Sequence, residues 1–75
     1  MNHIRLTQNN QMTAIGFIHA VRAVLSDCRS VGIDAHTDED DDGVMIVFTD
    51  SDSRKEVESI LNNNDLKFWN ADENN

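Results

Sequence analysis

Residues 37–50, TDEDDDGVMIVFTD, decide how this chain folds. Five consecutive acidic residues, Asp38–Asp42, are followed by Gly43 and then by an apolar run over residues 44–49. The run is rich in β-branched and aromatic residues and is apolar on both faces, which is typical of a strand in the middle of a sheet. The pair Asp42–Gly43 favours a tight turn because glycine adopts positive φ at no steric cost. We therefore predict a β-hairpin whose tip projects the acids into water.

The same stretch raises a calcium alternative. Asp38, Asp40 and Asp42 followed by glycine match the first half of an EF-hand loop, in which alternate carboxylates bind the ion. The twelfth position requires a bidentate glutamate but holds Thr49, and the exiting helix would fall on the strand-like run. We predict no specific metal site and no cofactor, and weak divalent cation binding by residues 38–43 stays an open alternative.

Two elements are predicted before the hairpin. His3–Thr7 alternates between apolar and polar residues, which predicts a short strand. From Gln11 to about Val31 the apolar residues recur at steps of three and four, which predicts an amphipathic helix with Asn9 or Asn10 as its N-cap and Gly32 at its end. The predicted apolar stripe of this helix comprises Ile15, Ile18, Val21, Leu25 and Cys28, and Ala14, Phe17 and Val24 lie beside it on a broad apolar face.

Three further elements complete the chain. Residues 33–37 alternate like a strand, Ser53 and Glu56 form a capping box at the start of a second helix, and Leu66–Trp69 alternates as a last strand. The order β-α-β-β-α-β, with right-handed crossovers, predicts a four-stranded antiparallel sheet with both helices on one face, the ferredoxin-like arrangement of the α+β class. We predict one such domain over residues 1–70 and a disordered polar tail over residues 71–75.

The length and the cysteine count limit which kinds of protein this chain can be. A chain of 75 residues forms at most one small domain with a thin core, so any site lies in a surface groove or an interface. Cys28 is the single cysteine, which excludes an internal disulfide and suits a reducing compartment. The sequence lacks an apolar signal core and a membrane-spanning run. We therefore predict a cytoplasmic location.

The charge balance selects the partner. Fourteen acidic residues against six basic ones give a net charge of −8. Such a chain repels nucleic acid phosphates and anionic membranes, because binding them requires Lys and Arg. The expected partner is a protein with a basic surface, such as a nucleic-acid-binding enzyme or complex. The alternative is that the charge only keeps the protein soluble.

The sequence contains no credible catalytic set. His3, His19 and His36 have no zinc-ligand spacing, and Cys28 falls on the apolar helix stripe. The three glycines are isolated, so no phosphate-binding loop is present. We predict a protein that is not an enzyme.

In size, charge and composition the chain resembles the small acidic proteins with which bacteriophages inhibit host defence or transcription. That resemblance implies a viral, cytoplasmic inhibitor that mimics DNA, because carboxylates on a rigid scaffold imitate a phosphate backbone. The predicted partner-binding carboxylates are Asp38, Glu39, Asp40, Asp41, Asp42, Asp50 and Asp52.

An apolar patch is predicted to contact the partner together with these acids. Met45, Val47 and Trp69 are expected to project from the sheet face opposite the helices, where Trp would supply a hot spot. The alternative function is a small regulatory or ligand-binding ferredoxin-like domain that forms a homodimer through this open face.

Overall fold

The computed structural model of the chain describes residues 2–7 and 12–68. It is a small α+β fold with the order β-α-β-β-α and a three-stranded antiparallel sheet in the spatial order β1-β3-β2. The strands are β1 Asn2–Arg5, β2 Ala35–Glu39 and β3 Met45–Thr49; the helices are α1 Ala14–Ser30 and α2 Arg54–Asn63, and a short 3₁₀ turn spans Ser51–Ser53.

The prediction of a fourth strand, and with it the ferredoxin-like arrangement, is wrong. Within the described residues, the segment after α2 makes a single bridge, Leu6 opposite Phe68, and the Thr7 N–H donates to the Lys67 carbonyl at 3.0 Å. The chain turns sharply after α2 and buries Leu66 in the core at once. Lys67 and Phe68 follow beside β1, and the single bridge at Phe68 does not make a strand. Trp69 and the tail 71–75 lie outside the described residues.

Helix α1 begins later than predicted. Its N-cap is Thr13, whose hydroxyl accepts a hydrogen bond from the Gly16 N–H at 3.0 Å, and this satisfies one of the unpaired donors of the first turn. Asn9 and Asn10, the predicted caps, lie outside the described residues.

Both helices end in a Schellman motif, in which two N–H groups beyond the helix bond back to its last turn. After α1, Gly32 has a φ of 78°, and the next N–H, of Ile33, donates to the Cys28 carbonyl at 2.9 Å. After α2, Asp65 takes the glycine position with a φ of 60°, and the Leu66 N–H donates to the Leu61 carbonyl at 2.9 Å. Each motif delivers an apolar side chain, Ile33 or Leu66, into the core.

The predicted capping box at Ser53 is wrong. Ser53 makes no side-chain cap bond, and the Asp50 carboxylate instead accepts from the Ser53 N–H at 2.9 Å. Asp50 therefore caps the 3₁₀ turn, and α2 follows directly from that turn.

The core lies between the helices and one face of the sheet. Ile4 on β1 stands opposite Val47 on β3, and both are buried with side chains from both helices. Val47 is only 1% exposed, and Met45 packs on the same core face. The prediction that Met45 and Val47 face away from the helices is therefore wrong. The outer face carries Ile46 and Phe48, because side chains alternate along a strand.

The outer face also carries an aromatic row. Phe48 lies between His3 and His36 on the neighbouring strands, at ring-centroid distances of 6.2 Å and 5.1 Å. The His36 ring is stacked on Phe48 at an interplanar angle of 11°. Both histidines are exposed, as the alternation of their strands predicts.

Candidate acidic hairpin and its groove

Asp38–Gly43, hereafter the acidic hairpin, forms the end of β2 and the turn into β3. The Asp40 N–H donates to the Val44 carbonyl at 2.9 Å, and the Gly43 N–H donates to the Asp40 carbonyl at 3.0 Å. Gly43 has a φ of 79°. The loop is therefore a three-residue hairpin with glycine in the left-handed region. This geometry confirms the predicted hairpin, with Asp41 and Asp42 at its tip.

Asp40 holds the turn together. One of its carboxylate oxygens accepts from the N–H groups of Asp42 and Val44, both at 2.9 Å, and the other lies 3.2 Å from the Arg5 Nε. The Val44 N–H lowers the pKa of Asp40 most, with further lowering by the Asp42 N–H and by Arg5 against the opposing effect of desolvation. Because its oxygens are used inside the molecule, Asp40 is a structural residue and a poor candidate for direct partner contact.

The other acids of the hairpin face solvent. Asp38, Glu39, Asp41 and Asp42 are exposed, and Asp42 has a distant charge partner, the Arg5 Nη2 at 3.9 Å. Within residues 2–7 and 12–68, no ion pair involves Asp38, Glu39 or Asp41. The hairpin therefore presents several fixed negative charges on a turn that hydrogen bonds hold in place.

Asp50 and Asp52 lie away from the hairpin. They follow β3 at the end opposite the turn, and β3 has five residues. A strand of that length spans about 16 Å, because each residue adds about 3.3 Å. The seven predicted carboxylates thus form two groups at opposite ends of the sheet. The role of Asp50 and Asp52 in partner binding stays a prediction, and Asp50 also caps the 3₁₀ turn.

A groove of about 500 Å³ lies beside the acidic hairpin, between the hairpin and the start of α1. We call it the hairpin groove. Its walls include the apolar Met12, Phe17, Ile18, Val44 and Met45 and the acidic Glu39. Met45 is thus brought together with the acids, although on the core face and not on the outer face. Val47 is too deeply buried to contact a partner, and Trp69 lies outside the described residues.

Apart from Met45, the sequence analysis did not assign the apolar residues of the groove to partner binding. The stripe predicted to face the core includes Ile15 and Ile18, which are 70% and 49% exposed. Val21 and Cys28 of that stripe are buried as predicted, together with Val24, and Phe17 packs against them. The core face is therefore the side of the broad apolar face that follows the steps 17, 21, 24 and 28.

No cluster of three His, Cys, Asp or Glu side chains that could hold a metal ion occurs among the residues that the structure describes. Cys28 is buried in the core, where desolvation chiefly, and Asp27 in addition, raise the pKa of its thiol. A raised pKa and a buried sulfur give this thiol little nucleophilic character.

Comparisons with known proteins give no family for the chain. A scan against models of protein families finds no match, and searches of curated proteins and of solved structures find no significant match either. Neither helix in the described part of the chain has the length and hydropathy that crossing a membrane requires.

Proposed function

We propose that the protein is a small, acidic, non-enzymatic interaction protein that binds a basic segment of a partner protein at the acidic hairpin and the hairpin groove. One observation carries this proposal: an apolar groove of about 500 Å³ lies directly beside a turn with exposed carboxylates. The expected ligand has a large apolar side chain for the groove and Lys or Arg residues for Glu39, Asp41 and Asp42.

This division of roles follows from the energetics of interfaces. An exposed ion pair contributes only about 0.2–1 kcal/mol, so the carboxylates alone give weak and salt-sensitive binding. Binding energy concentrates where an apolar side chain enters a desolvated pocket at the centre of the contact. The charges then steer association and select a basic partner, while the groove supplies the anchor.

The partner that the charge favours most is a nucleic-acid-binding protein, and the proposed activity is inhibition by imitation of DNA in the cytoplasm. Support for this finer proposal is the net charge of −8 together with the two acidic groups at opposite ends of the sheet. It makes DNA a competitor for the same partner surface. The calcium-loop alternative is less favoured, because one Asp40 oxygen already accepts from two backbone N–H groups and the other forms an ion pair with Arg5.

Replacing Glu39 with glutamine and Asp41 and Asp42 with asparagine is expected to weaken binding to a basic partner about tenfold, since three exposed pairs at about 0.2–1 kcal/mol each are lost. The variant keeps Asp40 and therefore the turn. The measurement is biolayer interferometry against a panel of purified nucleic-acid-binding proteins at low and high salt, with and without DNA.

The matched control is Asp34→Asn with Asp65→Asn and Glu56→Gln, which removes the same charge from exposed positions away from the hairpin and leaves Asp50 and Asp52 in place. Its binding should stay close to that of the wild type. An equal loss from both triple variants would assign the effect to net charge and not to the hairpin. Binding that DNA does not displace would contradict the mimicry.

Ile18→Ala is expected to weaken binding to the same partner about fivefold. Truncation removes three carbons, each worth about 0.8 kcal/mol when fully buried. Ile18 is 49% exposed, so about half of its surface is free to become buried in the interface. Val31→Ala is the control, because Val31 is 59% exposed at the opposite end of α1, outside the groove. Equal affinities of these two variants would show that the groove is not the anchor.

A further inference from the structure

Strand β2 forms an edge of the sheet that exposes backbone hydrogen-bonding groups. Within the described residues it pairs only with β3. The Asp40 N–H bonds to the Val44 carbonyl, directly before β3, and hydrogen-bonded positions alternate along an antiparallel strand, so His36 and Asp38 bond to β3. The N–H and C=O groups of Ala35, Thr37 and Glu39 therefore point away from the sheet.

These outward groups have few partners in the described part of the chain. The Glu39 N–H donates to its neighbour's side chain, Asp38 Oδ1, at 2.8 Å, and no backbone hydrogen bond beyond the β3 ladder involves Ala35 or Thr37. A row of outward N–H and C=O groups is a template for another strand.

We propose that β2 is a self-association edge on which the β2 strand of a second copy pairs antiparallel about a two-fold axis at Thr37. Pairing would join two three-stranded sheets into one of six strands. It would also give backbone partners to the outward groups of Ala35 and Thr37, which have none among the described residues. The inference concerns the β2 edge, which shares Asp38 and Glu39 with the acidic hairpin and the hairpin groove, but it does not depend on the proposed function.

The sequence of β2, AHTDE, is complementary to itself in this register. Thr37 meets Thr37 of the second copy, Ala35 meets Glu39, and His36 meets Asp38. His36 and Asp38 are both exposed on the outer face, so an imidazole N–H can donate to a carboxylate across the interface, twice by symmetry.

Other registers are less favourable. Centring the axis on Asp38 places two carboxylates opposite each other, and centring it on His36 places Asp34 opposite Asp38. The register about Thr37 overlaps all five residues of β2 and places no two carboxylates opposite each other within the strand. Beyond the strand it places Asp34 opposite Asp40, whose charge is paired with Arg5.

The net charge of each copy opposes association. Because the paired strands are antiparallel, the two acidic turns lie at opposite ends of the joint sheet and their mutual repulsion is reduced by distance. Added salt screens what remains. Self-association should therefore strengthen with salt, whereas binding of a basic partner to the acidic hairpin should weaken. This opposite salt dependence separates the two proposals experimentally.

The test is sedimentation velocity of the full chain over a range of concentrations at high salt. The wild type is expected to show a monomer–dimer equilibrium. Thr37→Pro removes the central outward N–H, a change that edge strands tolerate, and should raise the dimer dissociation constant at least about tenfold. Thr37→Val retains that N–H and should retain the dimer. Circular dichroism of dilute samples checks that each monomer is folded.

The register is tested by a charge exchange. H36D alone places carboxylates opposite each other and should abolish the dimer, whereas the double variant H36D/D38H restores a carboxylate opposite an imidazole and should recover it. A wild type that stays monomeric at its highest soluble concentration, or a dimer that survives both Thr37→Pro and H36D, would overturn the proposal.

Discussion

Replacing Leu61 with alanine is expected to lower the free energy of unfolding by about 2–5 kcal/mol, the range for truncating a fully buried leucine. Leu61 is 0% exposed and lies on α2, where it packs in the core with Val57 and Leu66. The chain has 75 residues. A domain of that size is stable by roughly 4–11 kcal/mol, since each residue contributes about 0.05–0.15 kcal/mol on average. The substitution therefore removes a large share of the total stability.

The effect should extend beyond the cavity itself. Helix α2 has ten residues, too few to be stable in water without packing, so weakening its apolar contacts loosens the whole helix. Urea unfolding followed by circular dichroism measures the change. Ile15→Ala is the control, because Ile15 is 70% exposed. Its truncation should cost at most a few tenths of a kcal/mol. Similar losses for the two variants would mean that α2 does not pack on the sheet through Leu61.

The hairpin could be predicted from the sequence because its chemistry is local. Glycine at the left-handed position of the turn and an acidic run next to an apolar strand specify the loop without reference to the rest of the chain. Which face of β3 packs on the core is not determined by local sequence. Residues 44–48 are all apolar, so both alternations fit, and the choice is made by the register with Ile4 on β1. The prediction for Met45 and Val47 failed for this reason.

The failed fourth strand has a related cause. The alternation of apolar and polar residues over Leu66–Trp69 fits a strand. It fits equally well an irregular segment that buries Leu66 and leaves Lys67 exposed. Asp65 in the left-handed region fixes that path, and an aspartate gives a much weaker signal for such a position than glycine. Gly32, in the same role after α1, was correctly predicted to end that helix.

The candidate site also has one part that the sequence predicts and another part that it does not. Its exposed carboxylates were predicted from the acidic run itself. The structural role of Asp40 requires Arg5, which is far away in sequence. Arg5 lies on β1, and its side chain crosses β3 to reach the turn. The groove requires the start of α1 to lie against the hairpin, and no local pattern in either segment specifies that approach.

Replacing Thr49 with valine is expected to raise the free energy of unfolding by about 1–3 kcal/mol, the cost of leaving a buried polar group without a hydrogen bond. Thr49 is 1% exposed at the end of β3, and its hydroxyl has no hydrogen-bond partner among the described residues. Valine has nearly the same shape, favours strands equally well, and replaces the hydroxyl with a methyl group. For a domain of this size the gain corresponds to a rise in Tm of about 4–8 °C per kcal/mol.

Thr37→Val is the control for that stabilisation, because it makes the same chemical change on the same face of the sheet at a half-buried position. A hydroxyl that water reaches pays little desolvation cost, so its removal should change the stability by no more than about 0.5 kcal/mol. Thermal melts of dilute protein keep self-association from contributing to the comparison. If Thr49→Val destabilises the protein, or if both valines stabilise it equally, the Thr49 hydroxyl is satisfied after all and the end of β3 is more open to water than its burial indicates.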